Sequence, residues 1–381
     1  MSNSAASILC VGMGWFPTTP GGLNRYTYEL THQLATHDRI EFCAAGLPSV
    51  SPDYPMQLTN LADPKQKLPQ RLWQTHQQFC QRHAPPPDAI NLHFSLYSFP
   101  ILSKLPRHIP ITFTFHGPWA LEGKQEQQSV WSIHFKRWIE QQVYQRCDRF
   151  IVLSTAFGTI LHETYAIPWE HIHIIPGGVN TTRFQPNLSR QTARQQLGWA
   201  DDRTILFTPR RLVHRMGIDH LLRAMVQVKQ QVPDVWLAIA GKGSLRDPLE
   251  QQAHELGLSQ HVKFLGYLPD EQLPLAYQAA DLTVVPSQSL EGFGLILLES
   301  LACGTPALCT PVGGMPEVLS PFSADLITPS TDAAAISNQL VALLTGERSL
   351  PSRDACRSYV CQNFDWQIIS QQIRTVLLTS K

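Results

Sequence analysis

"TILFTPRRLVHRMGIDHLLRAMVQVKQQVPDVWLAIAG" (204–241) opens on a short apolar run, "TILFTP" (204–209), and closes on another that ends in glycine, "VWLAIAG" (235–241). Between them lie a basic loop, "RRLVHRMG", and an amphipathic stretch, "IDHLLRAMVQVKQQ". Short apolar runs bounded by turn residues read as strands, and the segment between them has helical spacing. Strand, helix and strand in that order form a crossover unit, which lays its two strands parallel in one sheet.

The same alternation runs outward in both directions. Upstream the strand candidates are "ILCVG" (8–12), "IEFCAAG" (40–46), "AINLHF" (89–94), "ITFTFHG" (111–117), "FIVLS" (150–154) and "IHIIPGG" (172–178). Downstream they are "VKFLG" (262–266), "LTVVPS" (282–287) and "PALCT" (306–310). Strands alternating with helices predict an α/β protein with parallel sheets covered on both faces. The pattern pauses over the polar segment 179–203, so the spacing predicts two doubly wound domains, 1–185 and 186–365. The amphipathic tail "FDWQIISQQIRTVLL" (364–378) supplies a closing helix, assigned to a separate segment, 366–381. Two such domains facing across a cleft would bind ligands outside the carboxyl ends of their strands.

Composition narrows the partners. Thirty Lys and Arg balance thirty Asp and Glu, which argues against nucleic acid as the main partner because such proteins carry a basic footprint. Hydrophobic residues make up 43% and charged residues 16%, enough apolar material for two cores. Eight scattered cysteines contain no C-x-x-C pair, so buried thiols in a reducing compartment are expected rather than zinc or a disulfide framework. "MSNSAASILCVGMGWFP" has no basic leader region, and no apolar run reaches the ~18 residues of a spanning helix. The expected location is the cytoplasm. The helix "VWSIHFKRWIEQQVYQR" (130–146), with Trp131, Phe135, Lys136, Arg137 and Trp138, reads as a packing helix; its alternative is peripheral contact with the cytoplasmic membrane face.

The loops after strands carry the candidate chemistry. Gly12 and Gly14 start a dinucleotide fingerprint that Pro17 breaks, which counts against a nicotinamide-dependent dehydrogenase. Gly21 and Gly22 stand immediately before a helix, where bare backbone amides suit an anion. His116 ends a strand, placed to donate to a substrate oxygen. His171 and His173 follow strand alternation with no acidic or cysteine partner nearby, so no metal site is assigned. Arg210, Arg211 and Arg215 share one loop before a helix, and guanidinium forks match phosphate oxygens. "SLEGFGLILLES" (289–300) sets Glu291 and Glu299 eight residues apart, with Gly292-Phe293-Gly294 opening a helix after the first. A carboxylate beside an anion repels it unless it accepts hydrogen bonds from hydroxyl groups. Two such acceptors around a phosphate site describe a nucleotide sugar.

E-G-F-G-x-x-x-x-E resembles the signature of retaining glycosyltransferases of family 4, which have the GT-B fold. "PGGLNRYTYEL", "FHG", "RFIVLS…IHIIPGGVNTTRFQP", "RRLVHRMGIDHLL", "AGKGS", "FLGYLPDEQL" and "CGTPALCTPVGGMPEV" extend the resemblance over nearly the whole chain. The tail is similar to the C-terminal helix that, in this family, crosses back onto the first domain. The resemblance implies Glu291, Arg211 and His116 as catalytic residues. It implies donor contacts from Gly21, Gly22, Arg215, Gly241, Gly266, Tyr267, Leu268, Gly292, Phe293, Gly294, Leu295 and Glu299. Among these, Glu299 takes the ribose and Gly266-Tyr267-Leu268 the nucleobase. The family usually has lysine where this chain has Met216, so Arg215 is expected to share the diphosphate with Arg211. The implied activity is transfer of a hexose from a nucleoside-diphosphate sugar, uridine favoured over guanosine, to an acceptor hydroxyl in a glycan, lipid or small molecule. No cofactor is implied, and the absence of an Asp-x-Asp motif fits a diphosphate held without metal. An epimerase or phosphorylase on the same fold, or a non-catalytic nucleotide-sugar binder, is the alternative.

Overall fold

The computed structural model describes residues 5–51, 53–82, 84–126 and 128–379. Its chain forms two units: one runs to Gly178 and resumes at Trp366, and the other is Val179–Asp365. In the first, β1 (Ser7–Val11), β2 (Arg39–Ala44), β3 (Gln57–Asn60), β4 (Ala89–Leu92), β5 (Ile111–Phe115), β6 (Arg149–Val152) and β7 (Ile172–Ile174) form one sheet in the order β3-β2-β1-β4-β5-β6-β7. Every pairing is parallel. β1, β4 and β5 bury Leu9, Ile90, Leu92, Ile111, Phe113 and Phe115 completely or nearly so. Strands covered on both faces appear in the sequence as largely apolar runs, and the polar residues within them, Asn91, Thr112 and Thr114, are buried as well. β3 is a half-exposed edge, "QLTN", with no apolar run to betray it.

The helix Val130–Tyr144 buries Ile139, Val143 and Tyr144 against this sheet, as a packing helix should. Its other stripe is uncovered: Trp131 is 87% exposed, and Phe135 and Trp138 also face solvent. The closing helix Trp366–Leu378 buries Trp366, Ile369, Ile373 and Leu377, an i, i+3, i+7, i+11 stripe that lies on this first unit. Arg374 clamps it with two bonds, 2.6 and 2.7 Å, to the carboxylate of Asp38. The Trp366 ring rests against Gly178, where a Cβ would lie 2.5 Å from the indole. Only glycine leaves room for that ring.

The second unit contains β8 (Thr204–Pro209), β9 (Val235–Ala240), β10 (Val262–Gly266), β11 (Leu282–Val285) and β12 (Ala307–Cys309), ordered β10-β9-β8-β11-β12. β8 and β9 are parallel neighbours, Thr204 opposite Val235 and Pro209 opposite Ala240. The helix Ile218–Gln231 that joins them buries Ile218, Leu221, Leu222, Met225 and Val228. Each such side chain contributes about 1.5–3 kcal/mol on leaving water, so a charge at Leu222 would break the packing. Strand order reverses between β8 and β11, which lie side by side. In doubly wound sheets, ligands bind at such a reversal, over the carboxyl ends of the strands.

The expected boundary near residue 185 moves back to Gly178. Residues 179–185 belong to the second unit because Phe184 is buried against Tyr277 and its carbonyl accepts from Arg357 at 2.6 Å. The polar composition around them conceals these two apolar anchors, Val179 and Phe184.

Candidate functional site

The loops after β8 and β11 are tied together at the switch point of the second sheet. Arg210 pairs with the Glu291 carboxylate and also donates to the Ser287 hydroxyl, which in turn donates to Glu291 at 3.1 Å. Arg215, 8% exposed, donates to the Leu290 carbonyl at 3.1 Å, and the amide of Gln288 donates to the Arg215 carbonyl at 2.8 Å. Burial pushes the Glu291 carboxyl upward, yet Arg210, Arg215 and the Ser287 hydroxyl outweigh it and hold the group below the usual carboxylate range. Glu291 is therefore ionised at neutral pH and held by Arg210 and Ser287.

Two glycines let the loops approach this closely. Gly217 has φ 68°, and a Cβ there would lie 1.9 Å from the Pro286 carbonyl oxygen. Gly313 has φ 58°, and a Cβ there would lie 1.7 Å from the carbonyl oxygen of Glu291. Leu290 itself adopts φ 50°, a left-handed conformation that costs a branched side chain about 1–2 kcal/mol. Strain of this kind, one residue before an ionised carboxylate, is characteristic of functional loops.

The remaining expected residues are distributed unevenly. Arg211 is exposed, and among the described residues its guanidinium has no ion pair or hydrogen bond. Gly241 follows β9 with φ 146°, packed against the Arg210 carbonyl, and its amide donates to the Gly266 carbonyl at 2.7 Å. Tyr267, next in the chain, is 52% exposed with the Lys242 ammonium 5.2 Å from its ring centre; Leu268 is half-buried. Gly294, at φ 81°, caps the helix Leu295–Ala302, whose first residue is half-buried, and Gly292 lies on the approach to it. Phe293 is 4% exposed with its ring 6.0 Å from Phe364. Its side chain is core, so only its backbone is left for a ligand. Glu299, 6% exposed, accepts a 2.8 Å bond from the Tyr277 hydroxyl. Met216 is buried at 4% exposure, so the position that departs from the family pattern faces packing.

Gly21, Gly22 and His116 belong to the first unit. Gly21 and Gly22 are exposed at the start of the helix Gly22–Leu34, with open space where a Cβ would be. His116 follows β5 and is partly buried. Burial pushes its imidazole down to about 3, and its Nε2 lies 3.1 Å from Nδ1 of His93. Three participants escape the sequence reading. Arg210 is visible there only as one of three loop arginines. Ser287 and Tyr277 give no signal, because their roles arise from contacts across the sheet. Among the described residues, no three His, Cys, Asp or Glu side chains converge as a metal site would require.

The family model for glycosyltransferase family 4 matches residues 20–183, and that for glycosyl transferases group 1 matches residues 189–362. A GDP-mannose-dependent alpha-(1-6)-phosphatidylinositol monomannoside mannosyltransferase from Mycolicibacterium smegmatis is 31% identical over 217 residues, 55% of this chain and 57% of that protein. A D-inositol 3-phosphate glycosyltransferase from Nocardia farcinica is 33% identical over 235 residues, 60% of this chain and 51% of that protein. The chain thus spans a little over half the length of these curated relatives. Among solved structures, a sucrose-phosphate synthase from Thermosynechococcus elongatus superposes with a TM-score of 0.81 at 24% identity, covering 97% of each chain. The Anabaena protein HepE, in complex with UDP-glucose, superposes with a TM-score of 0.77 at 19% identity, covering 98% of this chain and 99% of that one. These likenesses carry the fold, two parallel-sheet units of the GT-B type. With one model matching each half, the chain belongs to the glycosyltransferases of group 1 and family 4.

Proposed function

We propose that this protein transfers a hexose, with retention of configuration, from a nucleoside-diphosphate sugar to an acceptor hydroxyl. The observation that carries the reading is the Arg210–Ser287–Glu291 network with Arg215 at the switch point of the second sheet. A fixed, ionised carboxylate is an acceptor for sugar hydroxyls. Arg211, uncommitted among the described residues, is the cation we assign to the diphosphate, with Arg215 beside it. As the glycosidic bond breaks, charge accumulates on the leaving diphosphate. Guanidiniums and the amides of Gly292 to Gly294 stabilise it more there than in the ground state, and that difference is the catalysis. Losing one donor aimed at such charge costs about 2.7–4 kcal/mol, which is the weight Arg215 must carry if Met216 contributes none. Glu299 is assigned to the ribose, Gly241 and Gly266-Tyr267-Leu268 to the nucleobase end, and Gly21, Gly22 and His116 are assigned as donor contacts. No metal takes part in this scheme.

A uridine diphosphate sugar is the favoured donor, and a guanosine diphosphate sugar is the second. Both chemistries occur among similar proteins, UDP-glucose bound to HepE and GDP-mannose in the mycobacterial enzyme's name. Incubating the purified protein with a panel of nucleotide sugars and following nucleoside diphosphate release tests the reading. Release from one donor, rising with an added acceptor, supports transfer; an altered nucleotide sugar without release means epimerisation. Binding without turnover would favour a non-catalytic binder, the reading that the buried Met216 supports. For the acceptor side, the exposed Trp131, Phe135 and Trp138, with Lys136 and Arg137 on the same helix, support contact with an anionic bilayer surface. Sedimentation with phosphatidylglycerol vesicles should be lost in Trp131→Ala; equal sedimentation of wild type and variant removes this partner.

A further inference from the structure

His93 and His116 leave the ends of neighbouring parallel strands, β4 and β5, and meet at 3.1 Å, Nδ1 to Nε2. One ring must donate and the other accept. Both are neutral: burial, and then the adjacent His116, push His93 well below the ordinary histidine value, and burial pushes His116 to about 3. Each ring therefore carries a single proton, and the choice at the contact decides which atom of His116 bears it. The other nitrogen of His93 settles that choice. His93 is 1% exposed, and its Nε2 is buried with no hydrogen-bond partner among the described residues. A proton on that nitrogen would be an orphaned buried N–H, which folded proteins avoid more strictly than a bare lone pair. The proton of His93 belongs on Nδ1, where it has an acceptor. The Tyr26 ring, edge-on to His116 at 4.7 Å, packs against the pair.

We infer that His93 is a positioning residue that donates from Nδ1 to Nε2 of His116 and so fixes the proton of His116 on Nδ1. His116 then presents an N–H to a substrate oxygen, as a hydrogen-bond donor and never as a base. The inference rests on the assignment of His116 to the donor sugar made above, and deepens it. It is tested first on the unaltered protein by two-bond 1H–15N correlation of the imidazole rings. Protons on Nδ1 of both histidines are expected; a proton on Nε2 of His116 overturns the inference. Two variants follow. In His93→Asn the side-chain amide nitrogen takes the place of Nδ1 and keeps the His116 tautomer, with kcat/KM near wild type. In His93→Leu the donor is gone, His116 shifts its proton toward Nε2, and kcat/KM falls about five- to tenfold, the worth of one hydrogen bond. An unchanged tautomer in His93→Leu overturns the inference. A shifted tautomer with unchanged kcat/KM supports the positioning by His93 and overturns the catalytic assignment of His116 instead.

Discussion

Glu291 shows how far a single residue can be read from its neighbours in sequence. The spacing to Glu299 and the glycines after it point to a ligand, but Arg210 is 81 positions away and becomes visible only when β8 and β11 lie side by side. The pair is nearly buried, 8% and 14% side-chain exposure. Removing one member leaves the other charge uncompensated, which costs about 3–5 kcal/mol. Glu291→Ala is therefore expected to lower both stability and turnover, the latter by about 100-fold, while nucleoside diphosphate affinity stays near wild type. Steady-state kinetics, calorimetric titration and a thermal melt separate the three. Because the folded carboxyl titrates below its unfolded value, its contribution is complete above about pH 4.3 and is lost as pH falls through the lower folded value. The melting difference between wild type and Glu291→Gln should thus be constant from pH 6 to 8 and shrink under acid. A difference that grows on acidification would reverse the sign assigned to Glu291.

At the scale of elements, the parallel strands were the most legible feature, because strands covered on both faces are built mostly of apolar residues. The edge strand β3 and the membership of 179–185 were not legible, since neither has an apolar run of its own. Glycines were legible as punctuation but not as contacts. Gly217 reads in sequence as a helix start; in space it is where the loop after β8 touches Pro286 of the loop after β11. Gly217→Ala would drive a methyl into that carbonyl at a left-handed φ, with a cost of about 1–3 kcal/mol or more. The expected result is a lowered melting temperature together with weakened nucleoside diphosphate binding. Loss of stability alone, with binding intact, would mean that this contact does not shape the site. The helix Val130–Tyr144 was half legible: its apolar residues are evident, but sequence spacing does not tell which stripe the sheet takes and which it leaves uncovered.

For the whole molecule, the chain passes between its units twice, at Gly178–Val179 and at Asp365–Trp366. The second passage sends the last helix back to the first unit, where Trp366 fills the space over Gly178 and stands edge-on to Tyr26 at 5.0 Å. Trp366→Ala should cost about 3–5 kcal/mol and unfold the first unit before the second in a two-step melt; a single unshifted transition would show that the helix is not part of that core. The proposed diphosphate site draws on loops that follow β8 and β11, side by side in one sheet. Its central claim is that these loops grip a nucleoside diphosphate through Arg211. Calorimetric titration of uridine and guanosine diphosphate into wild type and Arg211→Ala tests this most directly. One nucleotide should bind the wild type and bind the variant about 10- to 100-fold more weakly, as loss of a charge-assisted pair implies. Equal affinity in both proteins, or no binding of either nucleotide to the wild type, would contradict the account.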